Sequence, residues 1–554
     1  MRSIRFNGFT SISSGIKENN EMISAISDNI MSPLGLTTEE NLRAVRAGRT
    51  ALMKHEDVYG ARLQESVVGS FFEELPAIEG YTAFEALCIR SVECALQGKD
   101  IDVSSKSCVF IVSTTKGNIW SSPADSAKKV AMYFGNEVHP IVVSTACTSG
   151  VSAQLTAWRL LSAKKFDTAV IVGCDVQSEF IVSGFQSFKA LSDEQCRPFD
   201  KERKGLNAGE AAATLVLSSK VKGEWQMLGG SIHNDANHIS GPSRTAEGSW
   251  RCLEDMKRLT DAEDLAMVSV HGTGTLYNDE MESLALHRAG LDRLPVSALK
   301  GYYGHTMGAA GLLETILSMH ALDEGIILPS KGYTEPGTTY GVNLSQTERQ
   351  ACGKTFIKLL SGFGGVNAAV AWTKAEAGNC GELQANRSKW EKVAEVRLGS
   401  SDNLKEIYKT AIGNYPKFYK MDTLAQLGFV GTELLLQKAG AEAESETTAI
   451  VMANHSASLK NDKDYQATIS DKENYFPSPA LFVYTLPNIV TGEIAIRQHI
   501  NGETAFYVLP SEEELDVLIE ATGMNPSVKT MIAGWVECVA TDDYTAHLRL
   551  LKRE

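Results

Sequence analysis

The sequence lacks long apolar runs and paired cysteine motifs. No stretch comes near the ~18 consecutive apolar residues of a membrane helix, and the N-terminus has no continuous apolar segment, so neither a membrane span nor a signal peptide is predicted. The ten cysteines include no C-x-x-C pair, which favours free thiols in a reducing compartment. We therefore expect a cytoplasmic protein.

Other absences restrict the chemistry. The sequence has no Gly-rich phosphate loop, no H-E-x-x-H motif and no Cys/His cluster with metal-ligand spacing, so we predict no metal and no bound nucleotide or other cofactor. The net charge of -15 argues against nucleic-acid binding, because that affinity depends on Lys and Arg that neutralise phosphates. One basic cluster is a candidate dock for an acidic carrier protein, with a solvated turn as the alternative: Arg197, Lys201, Arg203 and Lys204.

The composition is that of a globular protein, with 43% hydrophobic and 22% charged residues. A chain of 554 residues is too long for one hydrophobic core, so we expect at least two structural units. Short β-branched runs alternate with helical patterns, which predicts an α/β layered fold. The predicted strands are Cys108–Val112, Pro140–Ser144, Thr168–Gly173, Ala212–Leu217, Ala266–Val270 and Ala368–Trp372.

A domain boundary is predicted where Gly and polar residues follow the last of these strands, near Thr373–Glu391. We expect a first domain over residues 1–375, a linker over 376–391 and a C-terminal unit over 392–554.

The C-terminal unit repeats an earlier stretch of the chain. The helical pattern Thr82–Leu96 and the strand after it resemble Asp422–Gln437 and the strand that follows. Val130–Ser144 likewise resembles Glu493–Tyr507, and an ungapped alignment of this pair brings Cys147 opposite a proline. The second copy therefore lacks the thiol.

Cys147 follows a buried strand and precedes a helical pattern over Val151–Leu161. A helix N-terminus presents free N–H groups and partial positive charge, which favour the thiolate and make a better nucleophile. The alternative is a small, inert, buried residue.

Three further segments bring chemical groups to the ends of predicted elements. His271 ends a strand in a Gly- and Thr-rich turn, and Lys300 and His305 lie in a Gly-flanked turn before a small-residue helix. The run Gly362-Phe-Gly-Gly supplies N–H groups that can approach a ligand closely. Each histidine alone is more often structural, but together these groups favour one shared site.

In combination these runs resemble the β-ketoacyl-ACP synthase (ketosynthase) family of thiolase-like condensing enzymes, over about residues 30–373. The runs are Met31-Ser-Pro-Leu-Gly-Leu, Thr145-Ala-Cys-Thr-Ser-Gly, Arg197-Pro-Phe-Asp, Gly209-Glu-Ala, His271-Gly-Thr-Gly-Thr, Lys300 with Gly304-His305, and Gly362-Phe-Gly-Gly-Val-Asn. The resemblance implies a thiolase-like layered αβαβα fold of two related halves.

The resemblance also implies a reaction of the elongating Cys-His-His type. Cys147 would carry an acyl group as a thioester, and His271 and His305 would stabilise the enolate from decarboxylation of a malonyl-carrier protein. The N–H groups of Cys147 and Phe363 would form the oxyanion hole, and Phe363 would also be a gate.

In the same resemblance, Lys300 and Glu314 orient His305 and the local charges. Substrates would arrive on the phosphopantetheine of an acyl carrier protein, and a homodimer or ketosynthase-type heterodimer would form by joining edge strands into one sheet.

Residues 392–554 resemble the N-terminal half of a ketosynthase of the kind found in aryl polyene and flexirubin clusters. The likeness is carried by the runs that begin at Tyr415, Phe476 and Asn501. We predict an incomplete thiolase-like half-domain without a nucleophile, which either docks and shapes the site or only stabilises the fold.

Two other functions remain open. A non-decarboxylating acyltransferase could use the same cysteine, although thiolases carry a second cysteine that the Gly362 run lacks. A non-catalytic partner resembling a chain-length factor would typically lose the nucleophile, whereas Cys147 is present.

Overall fold

The computed structural model describes residues 22–56, 66–375, 389–471 and 473–554. The opening stretch, residues 3–14, and residues 376–388 of the predicted linker lie outside the described residues. The first strand after the linker begins at Trp390, slightly before the boundary predicted at residue 392.

The first half of the first domain alternates strands and helices over residues 24–218. Its elements are β1 (Ser24–Met31), α1 (Thr38–Arg46), β2 (Met53–Glu56), β3 (Ser66–Ser70), α2 (Ala83–Leu96), β4 (Cys108–Ser113), α3 (Pro123–Tyr133), β5 (Ile141–Val143), α4 (Ser149–Ser162), β6 (Thr168–Asp175), α5 (Glu179–Ser187), β7 (Ala208–Gly209) and β8 (Ala211–Ser218).

The second half continues the alternation to residue 374. Its elements are β9 (Trp225–Asn234), α6 (Glu247–Leu259), β10 (Leu265–Ser269), α7 (Leu276–Arg288), β11 (Val296–Ser297), α8 (Lys300–Tyr303), α9 (Ala310–Asp323), β12 (Ile326–Ile327), β13 (Arg349–Gln350), β14 (Thr355–Gly362) and β15 (Val366–Lys374).

The C-terminal unit has the same alternation. Its elements are β16 (Trp390–Gly399), α10 (Leu404–Ile407), α11 (Thr423–Ala439), β17 (Thr448–Asn454), α12 (Leu459–Ser470), α13 (Pro479–Tyr484), α14 (Ile489–Gln498), β18 (Thr504–Val508), α15 (Leu515–Thr522), β19 (Thr530–Ala540) and β20 (Asp543–Arg553). Each of the six strands predicted from the sequence is present in the structure, so the α/β prediction is confirmed.

Three groups of five strands lie side by side and share one hydrogen-bonded order. The first half contributes β1-β8-β6-β4-β5, the second half β11-β10-β14-β15-β9, and the C-terminal unit β18-β17-β19-β20-β16. The first two groups are joined by antiparallel strand pairing at two residue pairs, between β1 and β9. The central strands β4, β6, β8 and β17 are almost entirely buried, as expected for strands covered by helices on both faces.

The C-terminal group has the strand order of the first half read from the shared edge outwards: β18, β17, β19, β20 and β16 stand where β5, β4, β6, β8 and β1 stand. The helices before β4 and β17 also begin alike. Thr82 caps α2 in a capping box with Glu85, and Asp422 caps α11 by accepting from the N–H of Ala425.

The first half and the C-terminal unit join at β5 and β18, which pair antiparallel through Tyr507 with Val143 and Val508 with Val142. This pairing occupies the free edge of β5 within the chain. Because β18 already pairs with it, β5 offers no open edge through which a dimer of the predicted kind could join.

A search of the described residues found no helix long and apolar enough to cross a membrane.

Candidate active site

Cys147 lies in a tight turn between β5 and α4, in a short 3-10 turn over Ala146–Thr148. Ala146 has a φ of 53°, a left-handed conformation that is costly for a residue with a Cβ. The turn ends the strand abruptly and places the sulfur at the start of α4. This is the strand-to-helix position predicted for the nucleophile.

Two opposing effects act on the Cys147 thiol. Burial raises its pKa to about 12, whereas the charge of Lys300 and the N–H groups of Cys147 and Phe363 act to lower it. Burial is the larger effect, so the thiol is protonated in the free site at neutral pH. Burial therefore opposes the helix N-terminus, and a thiolate favoured by that terminus stays a prediction.

His271 follows β10, and its backbone is held from two sides. Its N–H donates to Oε1 of Glu282 at 2.6 Å, and the N–H of Gly272 donates to Oε2 at 2.8 Å. On the other side, Nζ of Lys300 donates to the His271 carbonyl oxygen at 2.7 Å. This arrangement fixes the direction in which the imidazole projects.

His305 lies between α8 and α9. Its Nδ1 accepts from the N–H of Met307 at 3.3 Å, which places the imidazole proton on Nε2. Nε2 is buried and has no hydrogen-bond partner among the residues that the structure describes. A buried donor without a partner is costly, and it is available to a ligand.

The three side chains converge. One potential ligand atom from each of Cys147, His271 and His305 lies within 4.8 Å of the others. The two imidazole rings stand edge to face, with centroids 5.1 Å apart and an interplanar angle of 80°. Cys147 lies more than 100 positions before either histidine in the sequence, and the fold brings all three residues into one cluster.

Both imidazoles are neutral at physiological pH. Burial lowers the pKa of His271 and of His305 well below the usual value, and the charges of Lys300 and Lys358 lower both further. Cys and two His are also donors that Zn²⁺ accepts.

Phe363 lies in the tight turn between β14 and β15. The glycines after it, Gly364 and Gly365, have φ values of 88° and 71°, conformations that favour glycine. The turn brings the backbone N–H of Phe363 to the sulfur of Cys147. The N–H groups of Cys147 and Phe363 both lower the pKa of the thiol, and the oxyanion hole that they would form stays a prediction.

Residues 100–222 match the family model "Beta-ketoacyl synthase, N-terminal domain", and residues 226–334 match "Beta-ketoacyl synthase, C-terminal domain". Residues 100–334 belong to the β-ketoacyl synthase family. We refer to the first domain, which contains them, as the synthase domain.

The sequence is also similar to curated proteins, one of which carries a ketoacyl synthase name. The chain is 31% identical over 272 residues to "Tetracenomycin polyketide synthase ketoacyl synthase alpha subunit" of Streptomyces glaucescens, covering 45% of this chain and 63% of that protein. It is 29% identical over 283 residues to "Nodulation protein E" of Rhizobium leguminosarum bv. trifolii, covering 48% and 70%. The chain thus spans 63 to 70% of the length of these two relatives.

The solved structure "PfaC Keto synthase-Chain length factor" has a TM-score of 0.78 at 14% identity, over 96% of this chain and 78% of that chain. The likeness in fold therefore includes the C-terminal unit. The layered α/β fold is that of thiolase-like ketosynthases, as predicted.

Behind the histidines of the synthase domain lies a buried ionic network. Glu314 accepts from Nζ of Lys300 at 2.6 Å and also from Nζ of Lys358. Lys358 donates in addition to the carbonyl oxygens of Ser269 and Val270 at the end of β10. Lys300 thus holds the backbone of His271, and Glu314 pairs with both lysines.

Sequence reasoning missed two members of this network. Lys358 interrupts the apolar run of β14, and a lysine inside a fully buried strand is itself a signal of function. Burial lowers the pKa of Lys358 to about 8, and burial raises the pKa of Glu282 to about 7. Glu282 lies on α7 and offers no comparable signal.

An apolar cavity borders Cys147 in the synthase domain. Ile181, Phe185, Met307 and Phe363 line it from this domain. The C-terminal unit completes the lining with Phe482, Thr485 and Leu486. The sequence allowed a site-shaping role for the C-terminal unit but did not identify these three residues.

The basic cluster predicted as a carrier-protein dock is not a free positive patch. Arg203 is buried and donates to the carbonyl oxygens of Asp200, Gly337 and Leu276. Lys204 pairs with Glu194 at 2.6 Å. The remaining two residues are also paired, Arg197 with Asp200 and Lys201 with Glu335. These pairings favour the alternative of a solvated turn, and the carrier-protein dock stays a prediction.

Proposed function

We propose that the chain catalyses decarboxylative condensation of an acyl thioester with a malonyl-carrier protein, giving a β-ketoacyl-carrier protein. The observation that carries the proposal is the convergence of Cys147, His271 and His305 within 4.8 Å, beside an apolar cavity. We place the reaction in fatty acid or polyketide-type biosynthesis, including the aryl polyene or flexirubin pigments.

In the first half-reaction the sulfur of Cys147 attacks the carbonyl carbon of an acyl-phosphopantetheine thioester. The developing oxyanion accepts from the N–H groups of Cys147 and Phe363, which already point towards the sulfur. The bond to the phosphopantetheine sulfur breaks, and that sulfur leaves with the thiol proton. The acyl chain then enters beside the apolar lining, whose side chains must move to admit it, because the enclosed space is only about 30 Å³.

In the second half-reaction a malonyl thioester replaces the first carrier. Loss of CO₂ leaves an enolate whose oxygen accepts hydrogen bonds from neutral imidazoles, and Nε2–H of His305 is such a donor without a partner among the described residues. The enolate carbon attacks the Cys147 thioester and the carbon–sulfur bond breaks. The Cys147 thiolate then takes a proton from water, and the β-ketoacyl product leaves on the carrier.

The ionic network supports these groups without contacting substrate. Lys300 and Glu282 fix the backbone of His271, while Glu314 pairs with both Lys300 and Lys358. The positive charge behind the site also lowers the pKa of both imidazoles, so they act as neutral hydrogen-bond donors.

The proposed partner is an acyl carrier protein, because phosphopantetheine arms deliver both substrates. We propose further that residues 392–554 form a catalytically silent half-domain that shapes the site. This is supported by the strand order shared with the first half and by the Phe482, Thr485 and Leu486 lining of the cavity.

Incubation with octanoyl-carrier protein and malonyl-carrier protein, followed by mass spectrometry of the carrier, tests the proposal. The expected product is a 3-oxodecanoyl-carrier protein, with release of CO₂. Transfer of the octanoyl group to Cys147 without condensation would favour the non-decarboxylating acyltransferase. No transfer and no product with carriers of several chain lengths would favour a non-catalytic partner related to chain-length factors.

A further inference from the structure

The turn that carries Phe363 packs tightly against the C-terminal unit. A Cβ on Gly492, in the first turn of α14, would lie 2.6 Å from the carbonyl oxygen of Gly364 and 2.8 Å from its Cα. A Cβ on Gly364 would lie 2.6 Å from Nδ2 of Asn488. Only glycines allow the two backbones to approach this closely.

Hydrogen bonds hold this turn from both sides. Nδ2 of Asn488, in the C-terminal unit, donates to the carbonyl oxygen of Phe363 at 2.8 Å. From the synthase domain, Nδ2 of Asn234 donates to the carbonyl oxygen of Gly364 at 2.9 Å, and the Gly364 N–H donates to that of Ile239. The side chain of Asn488 is buried, so the bond is shielded from water.

The segment that leads to Asn488 is itself anchored on the synthase domain. Nζ of Lys116 donates to Asp462 at 2.8 Å, to Oγ of Ser458 and to the carbonyl oxygen of Thr485. All of these groups are buried, and Lys116 and Thr485 also line the cavity beside Cys147. The position of Asn488 is therefore fixed relative to the thiol.

We propose that Asn488 is a positioning residue for the oxyanion hole, supplied within the same chain by the C-terminal unit. Its hydrogen bond holds the peptide that follows Phe363 and so restrains the rotation of that residue. The N–H on the other side of Phe363 is the group that points at Cys147. This inference rests on the proposed acyl transfer to Cys147.

Asn461 provides a matched control in the same unit. Its side chain is also buried, its Nδ2 donates to the carbonyl oxygen of Leu481 at 2.8 Å, and its Oδ1, like that of Asn488, has no partner among the described residues. It makes no hydrogen bond to the Phe363 turn in the part of the chain that the structure describes. Asn488→Leu and Asn461→Leu therefore each remove one side-chain hydrogen bond to a backbone carbonyl oxygen. The bond of Asn488 reaches the Phe363 turn, whereas the bond of Asn461 does not.

Two measurements on the full chain test the proposal. The first is the single-turnover rate of acyl transfer from octanoyl-pantetheine to Cys147, followed by intact mass. The second is the pH at which alkylation of Cys147 by iodoacetamide is half-maximal. Asn488→Leu should lower the acyl-transfer rate by about 10- to 100-fold, because an oxyanion donor is misplaced. It should also move the alkylation midpoint to higher pH, since the thiolate loses the Phe363 N–H.

Asn461→Leu should leave both values at those of the wild type. The proposal would be overturned if Asn488→Leu kept the acyl-transfer rate and alkylation midpoint of the wild type. Equal changes of these two quantities in both variants would also overturn it. If the wild type takes up no acyl group but is alkylated normally, the proposed function fails. In that case the alkylation midpoints alone test the role of Asn488. An unshifted midpoint in Asn488→Leu would reject that role.

Discussion

Arg159 of the synthase domain donates through both terminal nitrogens to the two carboxylate oxygens of Glu503 in the C-terminal unit, and both side chains are buried. Arg159 lies on α4, the helix that follows the Cys147 turn, and Glu503 immediately precedes β18. The strand pairing between β5 and β18 is thus reinforced by a buried, bidentate ion pair.

Glu503→Gln should destabilise the whole chain, because it leaves the Arg159 charge buried without its counter-ion. Loss of one partner of a buried pair costs about 3–5 kcal/mol. Urea unfolding monitored by circular dichroism measures this change in the free energy of unfolding. Glu39→Gln, which breaks the exposed pair with Arg43, should leave stability at the wild-type value. Equal stability of the two variants would contradict the structural role of the pair.

His271→Ala and His305→Ala should separate the two half-reactions. Acyl transfer to Cys147 needs the N–H groups of the oxyanion hole and should persist, whereas decarboxylation of malonyl-carrier protein should fall by about 10²–10³-fold. Release of labelled CO₂ measures the second step. His320→Ala, which removes a histidine paired with Asp28 away from the site, should keep both steps. Undiminished decarboxylation in both site variants would exclude the proposed role of the imidazoles.

The two imidazoles also make stability depend on pH. Burial and the charges of Lys300 and Lys358 lower the pKa of His271 and His305 in the folded state, while an unfolded histidine titrates near ~6.5. Below that pH the unfolded chain therefore binds more protons than the folded one, so stability falls as pH falls from 6.5 towards the folded pKa.

The variant His271→Gln/His305→Gln should consequently lose less stability than the wild type between pH 7.5 and 5.5, as measured by thermal unfolding. The difference in stability change between the two proteins reports on the histidines alone, because both proteins keep the carboxyls. Carboxyls such as Glu282, whose pKa is raised, make the fold more stable as pH falls. An identical loss in both proteins would show that the imidazoles are not depressed in pKa.

Much of the site could be predicted from the sequence, because its chemistry lies at the ends of strands. Cys147, His271 and Phe363 each follow or end a clear apolar run, and such ends gather at one edge of a sheet. The positions of Lys300 and Glu314 were predicted less well. Their contacts run to Lys358 and the backbone of His271, which depends on how α9 packs against β14.

The docking of the C-terminal unit could not be predicted from the sequence. Hydrophobic periodicity indicates which face of a strand is buried, but not which strand pairs with the edge of β5. The roles of Phe482 and Asn488 follow only from that pairing. The internal repeat did indicate the order of elements: α11 is followed by β17 in the C-terminal unit, just as α2 is followed by β4 in the first half.

Phe482→Ala should let the chain accept longer acyl groups. The Phe482 ring lines the cavity and packs on Gly184 of α5, where a Cβ would lie 2.1 Å from it, so the ring closes the space beside Cys147. Its removal should raise the rate of loading of long over short acyl chains by about tenfold or more. Competition between hexanoyl- and dodecanoyl-pantetheine measures this ratio. Phe418→Ala, buried elsewhere in the C-terminal unit, should leave the ratio unchanged.

The central claim, that Cys147 carries the acyl group, is tested most directly by intact-protein mass spectrometry after incubation with an acyl-carrier protein. The wild type should gain the mass of one acyl group, and Cys147→Ala should gain none, because Cys147 is the one cysteine among the described residues that is grouped with two imidazoles. A gain of the same size in Cys147→Ala, or no gain in the wild type across acyl chains of several lengths, would contradict the account.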